Sequence, residues 1–342
     1  MAVGTSIWLK LLVGASLVQA AAPASAEPAA DPQPISAIDA GLLALRDGDV
    51  RVAAIAFRLA TANLPLCADH SAATGLVIHD GRQYRGKYRE AAERLFLLGD
   101  SPGVMGVVPG SPAALAGIQA NDRLVAINGV AVDAADSPRS RKGGDYEPVQ
   151  QLLDQLDAAA EAGPVAMQLV RDGQTIDVSI TPLATCASRI QLLPSGKLDA
   201  AADGRMISIT SAMVDFTRND DELAFIIAHE MAHNALRHRA RLDDQKVSRG
   251  LLSIVGANAR RIKETECEAD HVGLYMAARA GFAVEQAPEF WRRFGRTYDF
   301  GPLSDPTHPS GKQRAESASA ALVQIADERA KGLPLEPRPQ CQ

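Results

Sequence analysis

His229-Glu230-Met231-Ala232-His233 sets two imidazoles four residues apart, with a carboxylate beside the first. On a helix that spacing puts both rings on one face, where they can converge on a single divalent ion and leave Glu230 next to an open coordination position. The chemistry such a trio performs is hydrolysis, in which the ion acidifies water and the carboxylate takes the proton. A helix must present these residues, and the flanks supply one. Asn219-Asp220-Asp221-Glu222 offers an N-cap with an acid at N3, and Leu223 to Ala228 form an apolar body. Arg237, His238 and Arg239 follow as cations of the last turn, where they suit the helix dipole, and His238 reads as one of them rather than as a ligand. Two histidines and a glutamate in so apolar a helix are costly to bury alone, and a metal removes that cost.

A hydrolytic zinc needs a third protein ligand. Glu264-Thr265-Glu266-Cys267-Glu268-Ala269-Asp270-His271 holds the candidates. Helical spacing pairs Glu266 with Asp270 and equally pairs Glu264 with Glu268, so spacing leaves the choice open. An alternative motif, with glycine three and histidine six residues after the second histidine, is absent, because Leu236 and Arg239 stand there.

H-E-M-A-H followed by E-C-E-A-D-H-V-G resembles the gluzincin metallopeptidases of the HtpX, BepA and Oma type. The resemblance implies one Zn2+ per subunit held by His229, His233 and Glu266, with Glu230 as catalytic base. Asp270 is then the acceptor that orients a ligand imidazole. Glu264 and Glu268 are left as solvated acids, Cys267 as a small packed residue, and His271 without a role. In such peptidases the stretch Met206-Ile207-Ser208-Ile209, after the Asp203-Gly204 turn, is an edge strand to which extended substrate adds. Asp305-Pro306-Thr307-His308-Pro309, with Arg314, resembles the family segment that folds back over the active site. His308 becomes a second catalytic candidate, steadying the oxyanion or approaching the metal, set against a plain loop histidine that caps the next helix.

A second resemblance lies upstream. Gly106-Val107-Val108-Pro109-Gly110-Ser111-Pro112-Ala113, then Ala116-Gly117-Ile118 and Asn121 to Gly129, resemble a bacterial PDZ domain. The pattern is a strand, a Pro-initiated short helix, and a strand ending in an Asn-Gly turn. A helix from about Glu147 to Glu161 carries the apolar stripe Val149, Leu152, Leu153 and Leu156, and two strands flank Asp172-Gly173. A polar insertion from Asp133 to Asp145 interrupts the unit. PDZ domains bind chain termini or extended segments by strand addition. Phe96-Leu97-Leu98-Gly99 is only a loose match to their carboxylate-binding loop, so substrate recruitment and gating of the cleft both stay open.

The 342 residues, 46% of them hydrophobic, suffice for two modules. The expected fold is α+β: a mainly helical peptidase domain with a small edge-exposed sheet, and a β-rich PDZ-like insertion. The boundaries read as signal peptide 1–26, peptidase parts 27–99 and 184–332, PDZ-like unit 100–183, and a tail 333–342. A helix over 34–63 and a strand over 74–79 are assigned to the peptidase side. Cys67 and Cys186 flank the central module and are expected to bridge where the chain leaves and re-enters the peptidase domain, while Cys341 falls in the tail. The mostly apolar stretch from Ile7 to Ala22, interrupted by Lys10, then Ala24-Ser25-Ala26, reads as a cleaved export signal, with an uncleaved anchor as the alternative. It points to the periplasm or cell envelope. No later stretch reaches spanning length, which leaves association with a membrane surface open. A net charge of -6 gives no basic face for nucleic acid, so the expected partners are polypeptides. The function expected is zinc-dependent endopeptidase cleavage of unfolded or misfolded envelope proteins. Its competitor is a zinc-stabilised, chaperone-like binder with little proteolysis.

Overall fold

The computed structural model describes residues 35–99, 102–132, 144–247, 256–298 and 308–338. Residues 1–26, expected to be an export signal, residues 133–143 of the insertion, Thr307 and Cys341 lie outside the described residues. The architecture is α+β with the PDZ unit inserted.

Ser36 caps α1 (Ala37–Ala62) by accepting the Asp39 amide. The C-terminal half of α1 buries Val52, Ile55 and Leu59 in the peptidase core, while Leu42 in its first half joins α2 (Gly86–Phe96) in a small separate core. Between these helices run β1 (His70–Ala73) and β2 (Leu76–His79). β2 was expected on the peptidase side, but it pairs antiparallel with β3 (Gly103–Val107) and so belongs to the PDZ sheet. Leu76 and Ile78, two apart on one face, pack into the core of that sheet, with Ile78 buried beside Val104.

The PDZ unit continues through α3 (Pro112–Leu115), β4 (Arg123–Ile127), β5 (Val130–Ala131), α4 (Glu147–Ala162), β6 (Val165–Arg171) and β7 (Gln174–Ile180). Its sheet runs β2-β3-β4-β6-β7, with β5 paired to β4. Asn128 and Gly129 take positive φ in the turn between β4 and β5, as an Asn-Gly hairpin requires. The α4 stripe of Val149, Leu152 and Leu156 closes this second core. Phe96 and Leu98, from the loosely matching loop, are instead buried in the small core with α2.

Strand β8 (Leu183–Cys186) pairs antiparallel with β1, and the Cys67–Cys186 disulfide lies beside this ladder with Cα atoms 5.5 Å apart. Then come β9 (Arg189–Leu193), β10 (Ala200–Ala202) and β11 (Met206–Thr210). The order β10-β11-β9 corrects the edge-strand expectation. Met206, Ile207, Ser208 and Ile209 lie on the central strand, parallel to β9 and antiparallel to β10, with Ile207 and Ile209 fully buried. Two buried isoleucines on one face suit a middle strand packed on helices. Among the described residues, the edges of this sheet are β9 and β10.

After α5 (Ser211–Phe216), Asn219 accepts the Glu222 amide and starts α6 (Asp220–Ala235). Nearly every α6 side chain is buried, so this helix is the axis of the peptidase core. Then α7 (His238–Asp244), α8 (Gly256–Arg279), α9 (Ala287–Tyr298) and α10 (Gly311–Ala330) pack around it. Two glycines make close crossings possible. A Cβ on Gly273 of α8 would stand 2.9 Å from the His229 amide nitrogen, and one on Gly311 would stand 2.5 Å from Gly295 Cα. Among the described residues no helix is long and apolar enough to cross a membrane.

Candidate metal centre

Helix α6 delivers His229 and His233 from one face, and α8 crosses it to deliver Glu266. The three residues form a triangle in which one donor atom from each lies within 4.8 Å of the others. His229 Nε2 lies 3.2 Å from His233 Nε2 and 3.3 Å from Glu266 Oε2, and His233 Nε2 lies 3.5 Å from Glu266 Oε1. An ion bound tetrahedrally at roughly 2.0–2.1 Å separates its ligand atoms by ~3.3 Å, so the donor set fits zinc in type and spacing. Glu266 Oε2 is also buried without a good hydrogen-bond partner, a cost that an ion would remove. Glu230, on the same helix, is 8% exposed.

Each imidazole is backed on its far nitrogen. His229 Nδ1 lies 3.0 Å from Asp270 Oδ1, and Arg314 Nε donates to Asp270 at 2.9 Å. With these contacts His229 is raised to about 10: burial and the Arg314 charge oppose protonation, and the hydrogen bonds to Asp270 and Glu266 outweigh them. Glu266 is held well below the carboxylate range; burial acts against this, and the His229 and His233 hydrogen bonds override it. Asp270 is lowered too, with the Arg314 charge overcoming its burial.

His233 is backed differently. Arg237 takes a left-handed conformation (φ 51°) after α6 ends, so His238 opens α7 instead of closing the metal helix. Its ring turns back onto His233, with Nδ1 atoms 2.9 Å apart, and its Nε2 lies 3.2 Å from Glu268 Oε2. Burial, then the neighbouring His233 and Arg241, push His238 down to about 3. Glu268 is therefore more than a solvated acid: it also receives Arg241 Nη2 at 2.7 Å. Cys267, expected as a packed thiol, is disulfide-bonded.

His308 stands near the triangle, its side chain half exposed and its Nε2 3.5 Å from Glu266 Oε2. Arg314, at the buried end of the site, was legible only as part of the T-H-P segment. Trp291, under its guanidinium, carries no mark in the sequence that ties it to this site, because no spacing rule links α9 to α6.

A large cavity, about 1140 Å³, opens elsewhere. It is walled by α1, by β2 and α4 of the PDZ unit, and by β9 of the peptidase sheet. Arg189 of β9 bridges it, donating to Asp157 at 2.8 Å and pairing with Asp154 at 2.7 Å; Arg205 also reaches Asp154, at 2.6 Å.

Residues 189–262 match the model of Peptidase family M48, and residues 103–161 match a PDZ domain model. The mitochondrial metalloendopeptidase OMA1 of Saccharomyces cerevisiae is 25% identical over 51% of this chain and 55% of its own. A Vibrio cholerae protein bearing the name beta-barrel assembly-enhancing protease is 26% identical over 32% of this chain and 29% of its own. The chain thus spans about half, or less, of the length of these relatives. The solved HtrA3 PDZ domain, bound to a phage-derived ligand, aligns over 34% of this chain and 89% of that one, at 19% identity and a TM-score of 0.24.

Proposed function

We propose, from the premise that this chain belongs to peptidase family M48 and carries a PDZ domain within it, that it is a zinc-dependent endopeptidase of unfolded polypeptides. The observation that carries the reading is the convergence of His229, His233 and Glu266, whose closest nitrogen and oxygen atoms approach to 3.2–3.5 Å, with Glu230 beside them on the same helix. A zinc ion held there supplies a Lewis acid that acidifies water and polarises a carbonyl. The Glu230 carboxylate takes the proton of the attacking water and hands it to the leaving amine. Asp270 fixes His229 with its proton on Nδ1 and its free pair on Nε2. His308, half exposed beside Glu266, is placed to steady the oxygen that gains charge.

Substrate enters as an added strand. In place of the central β11, the free edge of β10 is the one alongside α6. The PDZ unit presents a second free edge, β2, beside α4 and facing the cavity shared with the peptidase sheet. An extended segment held there is kept close to the peptidase, which favours recruitment as the role of this unit. The chain works in an oxidising envelope compartment, reached by the export signal of residues 1–26. The Cys67–Cys186 bridge and the disulfide at Cys267 support this placement, as does the resemblance to a beta-barrel assembly-enhancing protease. Misfolded envelope proteins are then the natural substrates.

The test is digestion of unfolded casein by wild type and Glu230→Gln, with metal content measured on both. Zinc retained in the variant, with cleavage reduced about 10²–10⁴-fold, is the expected result. Undiminished digestion by the variant, or by wild type stripped with a chelator, would refute the assignment.

A further inference from the structure

We infer that His238 and Glu268 form a positioning relay for the metal ligand His233; the inference rests on the zinc reading above. If His233 offers Nε2 to the ion, its Nδ1 must carry the ring proton. The group facing that proton, 2.9 Å away, is His238 Nδ1. His238 must therefore accept there, which places its own proton on Nε2, 3.2 Å from Glu268 Oε2. Arg241 Nη2 closes the series by donating to the same Glu268 oxygen at 2.7 Å. Only one arrangement of protons satisfies every contact. A charged His238 would set two N–H groups against each other, so the relay works with a neutral ring that is 1% exposed.

The two ligand histidines are thus held by unlike partners. His229 leans on a carboxylate, Asp270, whereas His233 leans on an uncharged imidazole whose carboxylate is one residue further out. A carboxylate raises ligand basicity directly, and an interposed imidazole passes on less of that charge while still fixing the ring. His238 also stands five residues after His233, beyond the turn set by the left-handed Arg237, so the motif helix does not itself present it. The relay ends at a partly exposed pair, Glu268 and Arg241, which connects the ligand to the protein surface.

The test measures zinc affinity of the full chain by chelator competition, together with the visible spectrum of the cobalt-loaded protein. His238→Phe fills the space but cannot accept, and zinc affinity should fall about 10–100-fold with shifted cobalt bands. His238→Gln restores an acceptor and a donor and should return affinity to within roughly threefold of wild type. Glu268→Ala, at a partly exposed site, should weaken zinc by ~10-fold even if the phenylalanine variant does not fold. Wild-type affinity and an unchanged cobalt spectrum in Glu268→Ala and in folded His238→Phe would overturn the relay. Wild type that binds zinc but leaves casein intact would instead count against the endopeptidase reading, and the affinity measurement would still decide the relay.

Discussion

The guanidinium of Arg314 lies over the indole ring of Trp291, 3.4 Å from its centroid, with its nitrogens turned to Asp270 and to His229 Nδ1 at 3.1 Å. Stacking fixes the plane of the fork, and the fork fixes the carboxylate that orients His229. Lysine cannot do both. Arg314→Lys should keep the charge yet weaken zinc about 10–100-fold in a chelator competition. An affinity equal to wild type would show that the stacked geometry is dispensable.

Gly273 sets the distance between the helices that carry the ligands. A methyl group there meets the Ala228 carbonyl carbon and oxygen at 3.0 Å and the His229 amide nitrogen at 2.9 Å, so α8 must retreat from α6. Gly273→Ala should cost about 1–3 kcal/mol in urea unfolding of the metal-free protein. It should also weaken zinc, since Glu266 moves with α8.

Much of this site was legible because its information is local. Asn219, Glu222 and the apolar run predict α6, and the four-residue step between His229 and His233 predicts their shared face. The strands were harder to read. Met206 to Ile209 show a strand in their alternation, but nothing in them says whether neighbours flank one side or both; β9 and β10 take both. Strand β2 likewise carries no mark of the sheet it joins, because its partner β3 is more than twenty residues away in sequence. His238 was misplaced by one backbone conformation, the left-handed Arg237, which ends α6 early and turns the ring inward. Arginine rarely adopts that conformation, so helix periodicity alone runs straight through it.

The ionic bridge of Arg189 to Asp154 and Asp157 joins the PDZ helix to the peptidase sheet. The Arg189 side chain is 15% exposed, but Asp154 and Asp157 are 52% and 35% exposed, so solvent screens the bridge on its acidic side. Arg189→Ala should speed hydrogen exchange in α4 while leaving α6 unchanged. Equal exchange in both proteins would mean that Arg189 does not hold α4 to the peptidase sheet.

Asp49 of α1 accepts the Leu192 amide at 3.2 Å on the cavity wall. Burial pushes its carboxyl up to about 7 from an ordinary value of 3.8, against the pull of that amide. Between those values the folded protein holds a proton that the unfolded chain has lost, so this group makes stability fall as pH rises from about 4 to about 7. Asp49→Asn keeps an acceptor and removes the titration. At pH 8 the variant should melt about 2–4 °C above wild type, and near pH 4 the two should coincide. A variant that melts lower at pH 8 would contradict this.

The Cys67–Cys186 bond has a consequence for how the chain withstands cleavage. It closes the intervening chain into a lasso, so a single cut anywhere between the two cysteines opens the noose without freeing either piece. A nicked molecule keeps its full mass and both its units until a reductant arrives. Two bands on a reducing gel and one on a non-reducing gel would be the signature, and a nick inside the loop would leave α6 and α8 still tethered to the segment that carries Cys67.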